Sequence, residues 1–84
     1  MKYCFITVRT LTAAQMAESQ LRRNGLQCRI QRSPRWMEEQ GCGYGILVAF
    51  NEFNKCHSIL NNNRIPYKKV YLKDENGKME ELEF

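Results

Sequence analysis

The stretch that decides the fold is LQCRIQRSPRWMEEQGCGYGILVAF, residues 26–50. Its first part, Leu26 to Arg32, alternates strictly: Leu26, Cys28 and Ile30 fall on one face, and Gln27, Arg29 and Gln31 on the other. That period of two predicts a half-exposed strand at a sheet edge. Its last part, Ile46 to Phe50, is apolar throughout, as a strand covered on both faces must be. Between them Ser33 to Gly45 holds Pro34 and three glycines and reads as a loop.

Working outward, Lys2 to Arg9 (KYCFITVR) is a second nearly continuous apolar run, rich in β-branched and aromatic residues, and so a second central strand. Between it and Leu26, Ala14, Ala17 and Leu21 keep helical spacing behind a Thr10 or Thr12 cap, and Asn24-Gly25 ends the helix. After Phe50, Asn51 caps a second helix with Phe53, Cys56, Ile59 and Leu60 on its inner face. Asn61 to Asn63 and Pro66 stop it. Tyr67 to Lys73 is a second alternating strand, with Val70 and Leu72 facing one way and Lys69, Tyr71 and Tyr67 the other.

The order β-α-β-β-α-β, with apolar first and third strands and alternating second and fourth, predicts an α+β fold. It is a ferredoxin-like βαββαβ sandwich, with a four-stranded antiparallel sheet and two helices on one face. The domain spans residues 1–73, and residues 74–84 follow as an acidic tail. The other face of the sheet then exposes an apolar strip flanked by Arg29, Lys69 and Tyr71. A strip of that kind calls for a partner, and a homodimer is expected.

At 84 residues the chain suits one small core, and no apolar run approaches the roughly 20 residues of a membrane span. Met1-Lys2-Tyr3-Cys4 leads straight into strand sequence without a signal-peptide pattern, so the expected location is cytoplasmic, with reduced thiols. The net charge of +4 is uneven: residues 1–73 hold twelve Lys/Arg and four acids, and residues 74–84 one Lys and five acids. Either the basic body is a solvated surface balanced by the tail, or it meets an anionic partner.

Triads, carboxylate pairs beside a histidine and phosphate-binding glycine loops are missing, and neither the cysteine spacing nor the single His57 carries a metal signature. No cofactor is called for. The unusual feature is Gly41-Cys42-Gly43 at the start of a central strand, with Pro34 and Arg35 across the insert. Small neighbours leave a sulfur approachable, and backbone N–H groups with Arg35 lower a thiol pKa. The alternative is that the glycines satisfy a turn and Cys42 merely fits. Cys4, Cys28 and Cys56 fall on core-facing positions, where cysteine behaves as a small hydrophobe.

Ala17-Glu18 to Leu21, Asn24-Gly25-Leu26, Pro34-Arg35, Cys42-Gly43 with the apolar strand after it, and Ile65-Pro66-Tyr67 together resemble a family. It comprises the small bacterial domains known as selenium/sulfur carrier protein-like, and the resemblance covers residues 3–72. It implies a carrier in which the Cys42 thiol accepts sulfur or selenium as a persulfide or perselenide and passes it on, with a cysteine desulfurase or another sulfur or selenium donor as partner. Pro34, Arg35, Cys42 and Gly43 are the matching positions. In this role Arg35 steadies charge, Pro34 fixes the loop, Gly41 and Gly43 admit the donor sulfur, and Trp36 with Met37 forms a contact patch. The family has small residues before its Cys-Gly pair. This chain has Trp36-Met37-Glu38-Glu39-Gln40, and its two acids oppose Arg35 in setting the thiol pKa.

Two other classes of function fit the same sequence. One is a non-catalytic dimeric regulatory or interaction module binding a small ligand or protein. The other is nucleic-acid binding by the basic body with Tyr67 and Tyr71 as stacking groups. It ranks last, because ILVAF lacks the aromatic-basic pattern of an RNA-recognition strand.

Overall fold

The computed structural model describes residues 2–38, 43–82; of Glu38 it describes the backbone alone. The elements are β1 (Tyr3–Val8), α1 (Leu11–Arg23), β2 (Cys28–Arg32), α2 (Arg35–Glu38), β3 (Tyr44–Ala49), α3 (Phe53–Asn62), β4 (Val70–Lys73) and β5 (Met79–Leu82), with one 3₁₀ turn, Phe50–Glu52, ahead of α3. They build an α+β fold on an antiparallel sheet of order β2-β3-β1-β4-β5.

The two apolar runs are interior strands and β2 is an edge, as their patterns predict. Among the described residues, however, the sheet has five strands and not four. Within the acidic segment, Asp74 takes its own chain back: its Oδ1 accepts from the N–H groups of Asn76 (2.9 Å) and Lys78 (3.0 Å), and Gly77 adopts φ +82°. This turn returns Met79–Leu82 along β4, so β4 is an interior strand rather than the second edge. The signal is weak because MEEL has little strand propensity; the pairing is fixed by the turn and the ladder it starts, and Lys69 Nζ lies 3.3 Å from Glu81 Oε1 at the surface.

Thr10 is the cap of α1, its Oγ1 accepting from Ala13 N–H at 3.1 Å, and Gly25 at φ +83° ends the helix in the left-handed conformation. Asn51 does not cap α3. It lies within the 3₁₀ turn, and Glu52 precedes the helix without a side-chain cap bond. At the other end Asn63 Nδ2 donates to Ile59 O at 2.8 Å.

α1 and α3 cover one face of the sheet, where Cys4, Ile6, Val8, Ile46, Val48 and Val70 meet Ala14, Ala17, Leu21, Cys56 and Leu60. The opposite face is not open as the four-stranded reading had it. The insert after β2 folds back over it: Met37, 1% exposed, lies against Phe5 and Tyr71, both buried, and Leu47 and Met79 pack around them. Trp36 adds its ring edge-on to Tyr71, with centroids 5.6 Å apart at 84°. Tyr71 is therefore a core residue of this face and not an exposed flank. Gly45 is fixed by the same packing, since a Cβ there would collide with the Phe5 ring.

Candidate functional site

The cysteines separate by environment. Cys4, Cys28 and Cys56 are buried free thiols between the sheet and the helices. Burial pushes Cys4 up to about 11 and Cys56 up to about 12, the latter with the nearby Cys28 and Cys4 sulfurs and the Glu52 carboxylate adding to it. Cys28 is raised too, mainly by burial; Arg22 opposes the rise and Glu18 supports it. Its Sγ sits 3.9 Å from Glu18 O, a weak sulfur contact. Thiols held protonated in this way are poor nucleophiles, which matches their reading as small core hydrophobes.

Cys42 and Gly41 lie outside the described residues, as do Glu39 and Gln40. What is described is the frame that carries them. The insert leaves β2 at Ser33 and rejoins at Gly43, and its two ends are tied: Ser33 N–H donates to Gly43 O at 3.1 Å. Ser33 is 6% exposed and its Oγ has no hydrogen-bond partner among the described residues. Pro34 O accepts from Met37 N–H at 2.9 Å, starting α2, and Arg35 is the exposed first residue of that helix.

Trp36 is 47% exposed although its ring touches Tyr71, so it presents an indole at the surface. Met37 does not share that role. Its side chain is spent on Phe5 and Tyr71 and cannot form a partner-contact patch. The sequence placed Met37 outside because a loop residue has no periodicity to show which way it points.

Two further arginines belong to this end of the sheet and were not singled out in the sequence. Arg32, the last residue of β2, and Val8, the last of β1, both pair with Tyr44, the residue after Gly43, and Arg9 follows Val8. Arg9 O is the nearest atom to the site a Gly43 Cβ would take, at 4.0 Å. Arg9, Arg32 and Arg35 are all exposed, so the end of the insert is bordered by three guanidinium-bearing residues. Only the strand register, which brings residues 9 and 32 beside 43, reveals the set.

The two tyrosines expected as stacking groups are both occupied. Tyr71 is buried, and Tyr67 Oη shares a hydrogen bond of 2.7 Å with His57 Nε2 on α3. His57 itself is half-buried beside Phe53, with ring centroids 5.6 Å apart. No helix among the described residues is long and apolar enough to cross a membrane, and no three His, Cys, Asp or Glu side chains among them group as metal ligands.

No curated protein and no solved structure matches this chain. One family model does, over residues 3–72, the span that runs from the start of β1 into β4 and contains the whole tied insert. The chain belongs to the family described as Putative Se/S carrier protein-like.

Proposed function

We propose that the protein is a sulfur or selenium carrier whose working thiol is Cys42. The observation that carries this reading is the contrast among its four cysteines. Three are buried with raised pKa, while the fourth stands in the family-matched insert beside Gly43. Arg9, Arg32 and Arg35 stand exposed at the described ends of the insert, and cationic charge near a thiol favours its anionic form.

In the forward step the Cys42 thiolate attacks the terminal sulfur of a donor persulfide, most simply that of a cysteine desulfurase. A bond forms between Cys42 Sγ and that sulfur, and the donor's S–S bond breaks. The donor cysteine leaves as a thiolate with the electron pair. No external oxidant or reductant enters, and a selenium atom follows the same course. Delivery to an acceptor thiol is the same exchange in reverse. Trp36 is the group offered to a protein partner. The fold that presents the loop is read as the ferredoxin-like βαββαβ unit with β5 added at its β4 edge.

The test is the alkylation rate of each cysteine against pH, followed by mass spectrometry on the native protein. Cys42 is expected to react fast with an apparent pKa below the ordinary value of about 8.5, and Cys4, Cys28 and Cys56 to stay protected. Cys42→Ser should abolish labelling by a loaded desulfurase. A Cys42 that titrates as an ordinary thiol, or a serine variant that still accepts sulfur, sinks the carrier reading in favour of a binding module.

A further inference from the structure

α2 covers only part of its face of the sheet. Beside it lies a half-open groove of about 700 Å³, lined by Tyr3, Arg22, Gln27, Arg29, Leu47 and Ala49. The strand register fixes its layout. Arg29 on β2 pairs with Leu47 on β3, and Ala49 on β3 pairs with Tyr3 on β1. Leu47 and Ala49 therefore form an apolar floor one strand wide. The Arg29 guanidinium stands on one side of it and the Tyr3 ring on the other, their strands about 10 Å apart.

The charged side chains that line this groove among the described residues, Arg22 and Arg29, are of one sign. Arg22 is held at its rim by donating from Nη2 to Cys28 O at 2.8 Å, with Glu18 at 3.6 Å steadying the same group from the helix side. On the far side Lys73 pairs with Tyr3, and its Nζ reaches over the face to Gln31 Oε1 at 3.5 Å. Among the described residues that line the groove none is an acid, and Glu18 meets Arg22 from outside that lining. A second surface depression, about 350 Å³ between α1 and residues 63–65, is lined by Thr12, Gln15, Ser19, Gln20 and Asn63 among others, and none of the described residues lining it is charged.

An apolar floor one strand wide, an aromatic wall, an amide from Gln27 and two arginines at one rim suit a ligand with a flat ring and an anionic group. Arginine is the side chain that meets a phosphate with paired donors, and Arg22 is already oriented. We propose that this groove binds a nucleoside monophosphate, its base lying over Leu47 and Ala49 against Tyr3 and its phosphate on Arg22 and Arg29. The site is separate from the Cys42 insert and does not depend on the carrier reading.

The experiment is an amide-resolved NMR titration with adenosine monophosphate, run beside inorganic phosphate and adenosine, on the wild-type chain and on Arg29→Glu, Lys73→Gln and Cys42→Ser. Saturable shifts are expected at Tyr3, Arg29, Leu47 and Ala49, with a Kd near or below about 1 mM. Arg29→Glu should weaken binding by about tenfold or more and Lys73→Gln by less, at unchanged thermal midpoint, while Cys42→Ser binds as the wild type does. The proposal fails if no saturable shift appears, if inorganic phosphate alone reproduces the pattern, or if Arg29→Glu binds normally. It fails as well if a single-stranded oligonucleotide binds where the mononucleotide does not, which would assign the groove to a polymer.

Discussion

Thr7 and Ser33 are both buried hydroxyl residues, at 1% and 6% exposure, in opposite circumstances. Thr7 Oγ1 accepts from Lys69 N–H at 2.9 Å and donates at 3.2 Å to Lys69 O, which also accepts from Thr7 N–H at 2.8 Å, so the side chain pairs the N–H of the residue leading into β4 and adds to its carbonyl. Ser33 Oγ satisfies nothing among the described residues. Removing a partnered buried hydroxyl leaves its partners unpaired, whereas removing an unpartnered one relieves a desolvation cost. Thr7→Val is therefore expected to lower the unfolding free energy by roughly 1–3 kcal/mol, and Ser33→Ala to leave it unchanged or raise it by up to about 1 kcal/mol, by urea titration.

The same residue scale sets a pH dependence. The folded state holds Cys4 protonated to about 11 and Cys56 to about 12, whereas the unfolded chain releases those protons at the ordinary cysteine value. Above that value the unfolded state binds fewer protons, so stability falls as pH rises. The contribution is whole below about pH 8.5 and is lost as pH climbs through the folded values. Urea midpoints are expected to drop between neutral pH and pH of about 10.5, less steeply in Cys4→Ala than in wild type. Equal slopes in the two proteins would mean that some other group dominates the alkaline transition.

At the scale of elements, α2 is too short to be stable alone, and it exists because Met37 and Trp36 find Phe5 and Tyr71 beneath them. Gly45 makes room for Phe5, and Phe5 in turn floors Met37. Gly45→Ala must push the Phe5 ring away and disturb α2 from below. It is expected to cost about 2 kcal/mol or more and to shift Trp36 fluorescence toward that of solvated indole. Met37→Ala leaves a void over Phe5 and should cost roughly 2–4 kcal/mol with the same optical change. If either variant keeps the native emission, α2 is held by something other than this stack.

Sequence patterning revealed the strands and helices whose apolar residues repeat, namely β1, α1, β2, β3, α3 and β4, the last of them three residues shorter at its start than Tyr67–Lys73, and the three core cysteines with them. It could not reveal α2 or β5. Four residues of RWME and four of MEEL are too few to show a period, and both are placed by contacts distant in sequence. The candidate site divides along the same line. Arg35 and Cys42 stand out locally, but Arg9 and Arg32 join them only through the register of β1 and β2 on Tyr44.

For the whole molecule, the charge asymmetry takes structural form in β5. The acidic segment is not only a counterweight to the basic body, since Met79–Leu82 closes the β4 edge and lays Glu81 beside Lys69. Uncovered, β4 would present the backbone of Val70, Tyr71 and Leu72 as a new edge, with Tyr71 and Val70 buried at present. Native sheets that lose an edge strand tend to pair with another chain. Truncation after Asp74 should therefore lower the thermal midpoint and produce concentration-dependent association visible by light scattering. Glu81→Lys, which keeps the strand and reverses one exposed charge, should change stability by no more than about 1 kcal/mol, because a surface pair contributes little. Both effects together place the stabilising role in strand pairing. If Glu81→Lys instead matched the truncation, charge would be what holds β5 in place, and added salt would then unfold the edge of the wild-type protein.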